Sequence, residues 1–196
     1  MRPISAELGD KMRSTAEVFA QHGFDGATIS AISEATGVPT STIYYNFDGK
    51  LEILTFLLRA WLDRTALVVE EAVAGSESAA VRLARLIEAH LYSMAHDPST
   101  CQVMFAEVGR IGRLPEVSEA VQQAFHGPVA ALLEEGAADG SLSNVPVQTA
   151  TSVIYGAVTL TGLQHIVVSE GAVPAFDVGQ VSDEVADIVM NGIVKA

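Results

Sequence analysis

Between positions 28 and 50 the chain reads Thr-Ile-Ser-Ala-Ile-Ser-Glu-Ala-Thr-Gly-Val-Pro-Thr-Ser-Thr-Ile-Tyr-Tyr-Asn-Phe-Asp-Gly-Lys. Thr40, Ser41, Thr42, Tyr44, Tyr45 and Asn46 put hydrogen-bonding side chains at all but one of seven successive positions. No histidine, cysteine or paired carboxylate stands among them to make a nucleophile or a general base. Hydroxyls and amides of this kind can donate to or accept from base edges and phosphates, which is the chemistry of reading a DNA groove. In a helix Ile43 and Phe47 share one face, so the polar groups take the other. Phe47 therefore reads as core, and Tyr44 could serve either face.

Presenting those groups requires two short helices crossing closely at a tight turn. Thr28 is an N-cap residue for a helix over 29–36, and Gly37 permits a left-handed backbone where it ends. Pro39 can open a helix but not extend one, so a second runs over 40–46. Ile32, Val38, Ile43 and Phe47 are the apolar anchors, with Ala31 and Ala35 at the helix contact. A preceding helix over 4–21 carries Leu8, Met12, Ala16 and Phe19 at helical spacing, with Gly23 as its stop. Asp48-Gly49 then breaks the pattern.

The remainder is also helical by periodicity, with breaks at Gly75-Ser76, Asp97-Pro98, Gly112–Pro115, Gly140 and Gly171–Pro174. The expected helices cover 50–74, 79–95, 100–110, 116–139, 147–169 and 181–194. This gives an all-α fold of about nine helices, divided into a domain over 1–49 and a larger helical one over 50–196. Residues 140–169 carry no Lys, Arg, Asp or Glu. Their threonines, glutamines and His165 point to a helix buried inside a soluble protein rather than a membrane span. No apolar stretch near the start suggests a signal peptide.

The net charge of −13 argues against a general nucleic-acid binder. It is unevenly spread: residues 1–60 hold five basic and seven acidic side chains, residues 61–196 six and seventeen. Cys101 is the sole cysteine, so no intrachain disulfide or cysteine zinc site can form. That fits a reducing, cytoplasmic setting. An enzyme is disfavoured. The nucleophile elbow, the phosphate loop and the dinucleotide fingerprint are absent. His90 and His96, six apart, do not share a helix face as a metal pair would. Tyr92 and His96, at i and i+4, read as a surface pair. No cofactor or metal is expected.

The run from Thr28 to Lys50, with Phe19, Gly23 and Phe24 upstream, resembles the DNA-binding signature of the tetracycline-repressor family over residues 12–55. The matching positions are Gly37, Val38, Thr42, Ile43, Tyr44, Tyr45, Asn46, Phe47 and Lys50. The rest resembles the family in helix number, length and order. The resemblance implies that Thr40, Ser41 and Thr42 face bases or nearby phosphates, and that Tyr44 and Tyr45 touch backbone and thymine methyls. Thr28 and Lys50, each at a helix N-terminus, would bind phosphates. Where Asp48 stands, many relatives carry a basic residue. With Arg2, Lys11, Arg13 and Lys50 as the nearby cations, modest affinity and steep salt dependence are expected.

The resemblance further implies a homodimer formed by the last two helices, a double-stranded DNA operator, and a small-molecule effector held between the middle helices. Val181, Val185, Ile188 and Gly192 offer a narrow seam for such pairing, with Gly156, Ala157 and Gly162 permitting close approach. The large ligand candidates are Phe56, Trp61, Tyr92, Met94, Met104, Phe105, Phe125, His126, Tyr155 and His165, with Trp61, Tyr92, Phe105 and Tyr155 first. The expected function is a ligand-released repressor on a palindromic operator. The alternative is a ligand- or protein-binding dimer of the same fold that has lost DNA binding, to which the acidic charge and Asp48 lend weight.

Overall fold

The computed structural model describes residues 4–169 and 171–193, with side chains through residue 190. The described residues form twelve α-helical segments and one π-helical turn, without strands. They group into two compact units. The first comprises the chain up to Trp61 together with Ser99–Ser118; the second comprises Leu62–Pro98 and the chain from Glu119 onward.

In the first unit, α1 (Ala6–Met12) opens on Ser5, whose hydroxyl accepts the Leu8 amide, and α2 covers Thr15–Gly26. The single helix expected over 4–21 is thus divided. At Arg13 and Ala16 the backbone bonds tighten to i→i−3, onto Asp10 and Arg13, and the axis breaks there. Gly23 leaves the helical path at φ +66°. The next two helices, α3 (Ile29–Thr36) and α4 (Thr40–Asn46), have the expected bounds. Ile32, Val38, Ile43 and Phe47 are all buried as expected. Ala35 is exposed, however, and Ala31 only half-buried, so Ala35 does not make the helix contact. Hydroxyls tie the turn instead. Thr36 Oγ1 donates to the Ile32 carbonyl and accepts the Val38 amide, and Ser33 Oγ donates to the Val38 carbonyl at 2.7 Å. Gly37 holds φ +67° between them, a conformation a side chain would strain.

α5 (Lys50–Val73) starts in the first unit and its chain continues into the second. After α6 (Ala79–His96) come α7 (Pro98–Ala106) and α8 (Val108–Ile111), separated at Glu107, where the expected helix over 100–110 breaks. The helix expected over 116–139 is three pieces: α9 (Pro115–Val121), a π turn at Gln122–His126, and α10 (Gly127–Asp139). Pro128 explains the bulge, since it has no N–H for the carbonyl four residues back. Near the end of α10, a Cβ on Gly136 would collide with the buried side chain of Leu142, so only glycine fits.

In the second unit, α6 packs against α10, α11 (Val147–Val168) and α12 (Val178–Ile193). Gly162 of α11 leaves room for Met94 and Leu91 of α6. α11 is not the fully buried helix expected. Ile154, Val158 and Ile166 are buried, but Val153, Leu160 and Val167 are each more than 60% exposed. Among the described helices it is the one long and apolar enough to cross a membrane by length and composition. The expected seam of α12 also divides. Val181, Val185 and Val189 face the core of the unit, Ile188 is 74% exposed, and Gly192 lies outside the described side chains.

Candidate DNA-reading face and ligand cluster

On α4, burial of Ile43 turns the rest of the helix outward. Thr40 and Ser41 are exposed, Tyr44 and Tyr45 are 64% and 71% exposed, and Thr42 and Asn46 are half-buried. The exposure of Tyr44 assigns it to the outer face. Asn46 Nδ2 donates to the Thr42 carbonyl at 2.8 Å, which leaves its amide oxygen available as an acceptor. Thr28 lies at the start of α3 with its Oγ1 accepting the Ala31 amide at 3.1 Å, so its hydroxyl is engaged as an N-cap.

Lys50 opens α5, as expected. Its ammonium donates to the carbonyls of Phe24, Asp25 and Ala27 at 2.8, 3.0 and 2.8 Å, and lies 5.1 Å from the centroid of the Phe24 ring. An ammonium has three donors, and all three are used. Lys50 therefore closes the turn between α2 and α3. This partner set could not be seen in the sequence, because the two elements are more than twenty residues apart. The remaining cations nearby are also engaged. Lys11 pairs with Glu7 at 2.8 Å and Arg13 with Asp10 at 2.9 Å, within α1 or at its end. Arg2 lies outside the described residues. Asp48, Glu52 and Glu116 line a groove with Arg59 beside the start of α5, an acidic surface next to the reading helix.

The four leading ligand candidates are divided between the two units. Trp61, buried, and Phe105, half-buried, fall in the first unit. Tyr92, in the second, is 47% exposed and stacks on His96 with ring centroids 4.0 Å apart, which removes it from the core. It forms the surface pair its spacing suggested. Tyr155 joins an interior aromatic group. Its ring lies 5.0 Å from Phe125 and 4.8 Å from His126, and Phe125 lies 4.7 Å from His90. The π turn places Phe125 and His126 side by side in this group. His126 Nε2 is shielded from solvent without a hydrogen-bond partner, as are the hydroxyls of Thr151 and Thr159, one turn either side of Tyr155. Phe125 and His126 lie three and two residues before Pro128, the one sequence signal that could have set them apart.

His90 is buried, and its burial, helped by the nearby His126, lowers its pKa from 6.5 to about 4. Burial lowers that of His126 as well. Since the folded value lies below the unfolded one, stability is fully present above about pH 6.5. It is lost as the pH falls toward 4, where the unfolded chain takes the proton first. The expected loss between pH 6.5 and 5 is about 2 kcal/mol. It reads as a fall in the unfolding midpoint that His90→Gln largely flattens; an equal pH slope in that variant would refute the assignment.

The geometry defines a helix-turn-helix protein whose second helix presents hydroxyls, tyrosines and an amide, joined to a larger helical body. Residues 12–55 match the tetR family of bacterial regulatory proteins, and residues 76–162 match the tetracyclin repressor-like C-terminal domain. The chain belongs to the TetR family, and it is a DNA-binding transcriptional regulator, not an enzyme. It is 24% identical to the fatty acid metabolism regulator protein of Bacillus subtilis over 179 residues, 90% of each chain. Its fold is similar to that of FadR from Bacillus subtilis in complex with stearoyl-CoA. That likeness has a TM-score of 0.79 at 23% identity and covers 95% of this chain and 97% of that one. It is also similar to the ketosteroid transcriptional regulator KstR2 of Mycobacterium tuberculosis, with a TM-score of 0.77 at 20% identity, covering 99% and 98%.

Proposed function

We propose that the protein is a cytoplasmic repressor that binds an inverted-repeat operator as a homodimer and is released by a small, largely apolar ligand. The outward face of α4 carries the DNA-reading part: Thr40, Ser41, Thr42, Tyr44, Tyr45 and Asn46 would contact the groove, with residues 1–49 as the reading domain. The hydroxyl and amide groups supply hydrogen bonds that specify weakly one at a time, so a paired site is required. The exposed apolar side chains of the second unit support the pairing. Val153, Leu160 and Val167 repeat every seven residues along α11, and Ile188 projects from α12. A heptad stripe of this kind suits a partner helix from a second copy.

For the ligand, the relatives direct attention to long-chain acyl compounds, since one of the similar structures holds stearoyl-CoA. Tyr155, with Phe125 and His126, is the ligand-contacting group we favour. Release follows if the ligand prefers a state in which α5, continuous from Lys50 into the second unit, no longer holds the two reading helices one groove apart. A ligand binding both states equally would shift nothing.

The test is selection of binding sites from random duplex DNA with the purified protein at low and moderate salt. An enriched inverted repeat supports the repressor and gives an operator on which to assay release by stearoyl-CoA. The acidic groove beside α5 favours the second reading, a ligand-binding dimer without DNA affinity. Failure to enrich any sequence at either salt would decide for it.

A further inference from the structure

We propose that Arg110 is a positioning residue for operator reading: from α8 it clamps the turn between α2 and α3 by stacking on Phe24. This rests on the reading role of α4. The turn has one backbone bond of its own, from the Ala27 amide to the Gly23 carbonyl at 3.1 Å. Gly23 departs from the helix at φ +66° and Asp25 is 91% exposed at the side chain. Two cations from other elements hold it as well. Lys50 of α5 takes the carbonyls of Phe24, Asp25 and Ala27. The Arg110 guanidinium lies 4.0 Å from the centroid of the Phe24 ring, at cation–π distance.

Arg110 is itself fixed. Its Nε donates to Glu107 Oε2 at 2.8 Å, and Glu107 is only 16% exposed at the side chain. The approach of Arg110 to Asp25, 3.5 Å, involves an exposed carboxylate and adds little. The ring contact is therefore the working part of the clamp. Phe24 also stacks on Phe19 of α2, with centroids 5.9 Å apart. The clamp thus fixes the end of α2 against the start of α3. The next residue after the turn is Thr28, whose cap begins α3, and the Gly37 turn carries the orientation of α3 to α4. The segment Ser99–Ser118 bearing Arg110 continues at both ends into the chain of the second unit, so its register bears on the reader without touching DNA.

Arg110→Ala and Arg110→Lys are compared with the wild-type chain on the selected operator and on non-specific duplex. Arg110→Ala should weaken operator binding about tenfold, the size of one good cation–π contact, with non-specific binding and the salt slope unchanged. Arg110→Lys keeps the charge but not the planar stack and should recover about a third of the loss. Hydrogen exchange of the Ala27, Ala31 and Ile32 amides, read without DNA, should quicken in Arg110→Ala while the thermal midpoint holds. Operator binding within twofold of wild type overturns the proposal. So does a salt slope reduced by about one, which would make Arg110 a phosphate ligand. If the wild-type chain selects no operator, the reading role of α4 fails and the proposal fails with it. If the wild type binds but Arg110→Ala leaves exchange unchanged, the clamp alone is refuted.

Discussion

Lys50→Ala is expected to weaken operator binding about a hundredfold and to leave its salt dependence unaltered. Each hydrogen bond from a charged donor is worth about 1.5–3 kcal/mol, and one ammonium serves three carbonyls here. Even discounted for partial exposure, losing it costs the turn about 3 kcal/mol of preorganisation, which converts to that factor. The carbonyls of Phe24, Asp25 and Ala27 then turn to water, α3 loses its fixed start, and the cap at Thr28 no longer holds α4 at one angle. A phosphate-binding lysine would behave otherwise. Its removal would flatten log K against log salt by about 0.9 for each phosphate no longer neutralised, on operator and non-specific duplex alike. Titrations at several salt concentrations separate the two outcomes. Lys50→Arg should restore little, because a planar fork cannot aim three donors at three carbonyls spread around a point.

Phe125→Ala is expected to be the most destabilising single truncation in the second unit. The ring is fully buried and touches His90, His126 and Tyr155 edge-on. Large-to-small truncation of a buried aromatic costs about 3–5 kcal/mol, of which the loss of ring pairs is a part. For a chain of this length that lowers the unfolding midpoint by about 10 °C. The cavity would be lined by imidazoles and a phenol rather than by aliphatic groups alone, so Phe125→Leu should recover roughly half by refilling its volume. A change below about 2 °C in calorimetry would mean that the π turn can close over the gap, and that Phe125 is not the anchor of the cluster.

The sequence alone carried the outward face of α4 and the class of fold. α3 and α4 fall where Thr28, Gly37 and Pro39 place them, because caps and breakers act on the backbone within a few residues of themselves. Burial of Ile43 and Phe47 follows from the helical period, and so does the outward face of Thr40, Ser41, Tyr44 and Tyr45. Where the sequence fell short, the deciding partner was distant or the apolar signal was double. The three carbonyl partners of Lys50 show only once Phe24, Asp25 and Ala27 are brought against it. Tyr92 is as aromatic as Tyr155, yet one lies outside on His96 and the other inside on Phe125, and composition cannot tell them apart. On α11 nearly every face is apolar. Packing against α6, α10 and the π turn decided that Ile154 and Val158 turn inward while Val153 and Leu160 remain outside. Local backbone chemistry is written in neighbouring residues; the choice among equivalent apolar or cationic side chains is made by whichever surface they meet when the chain closes.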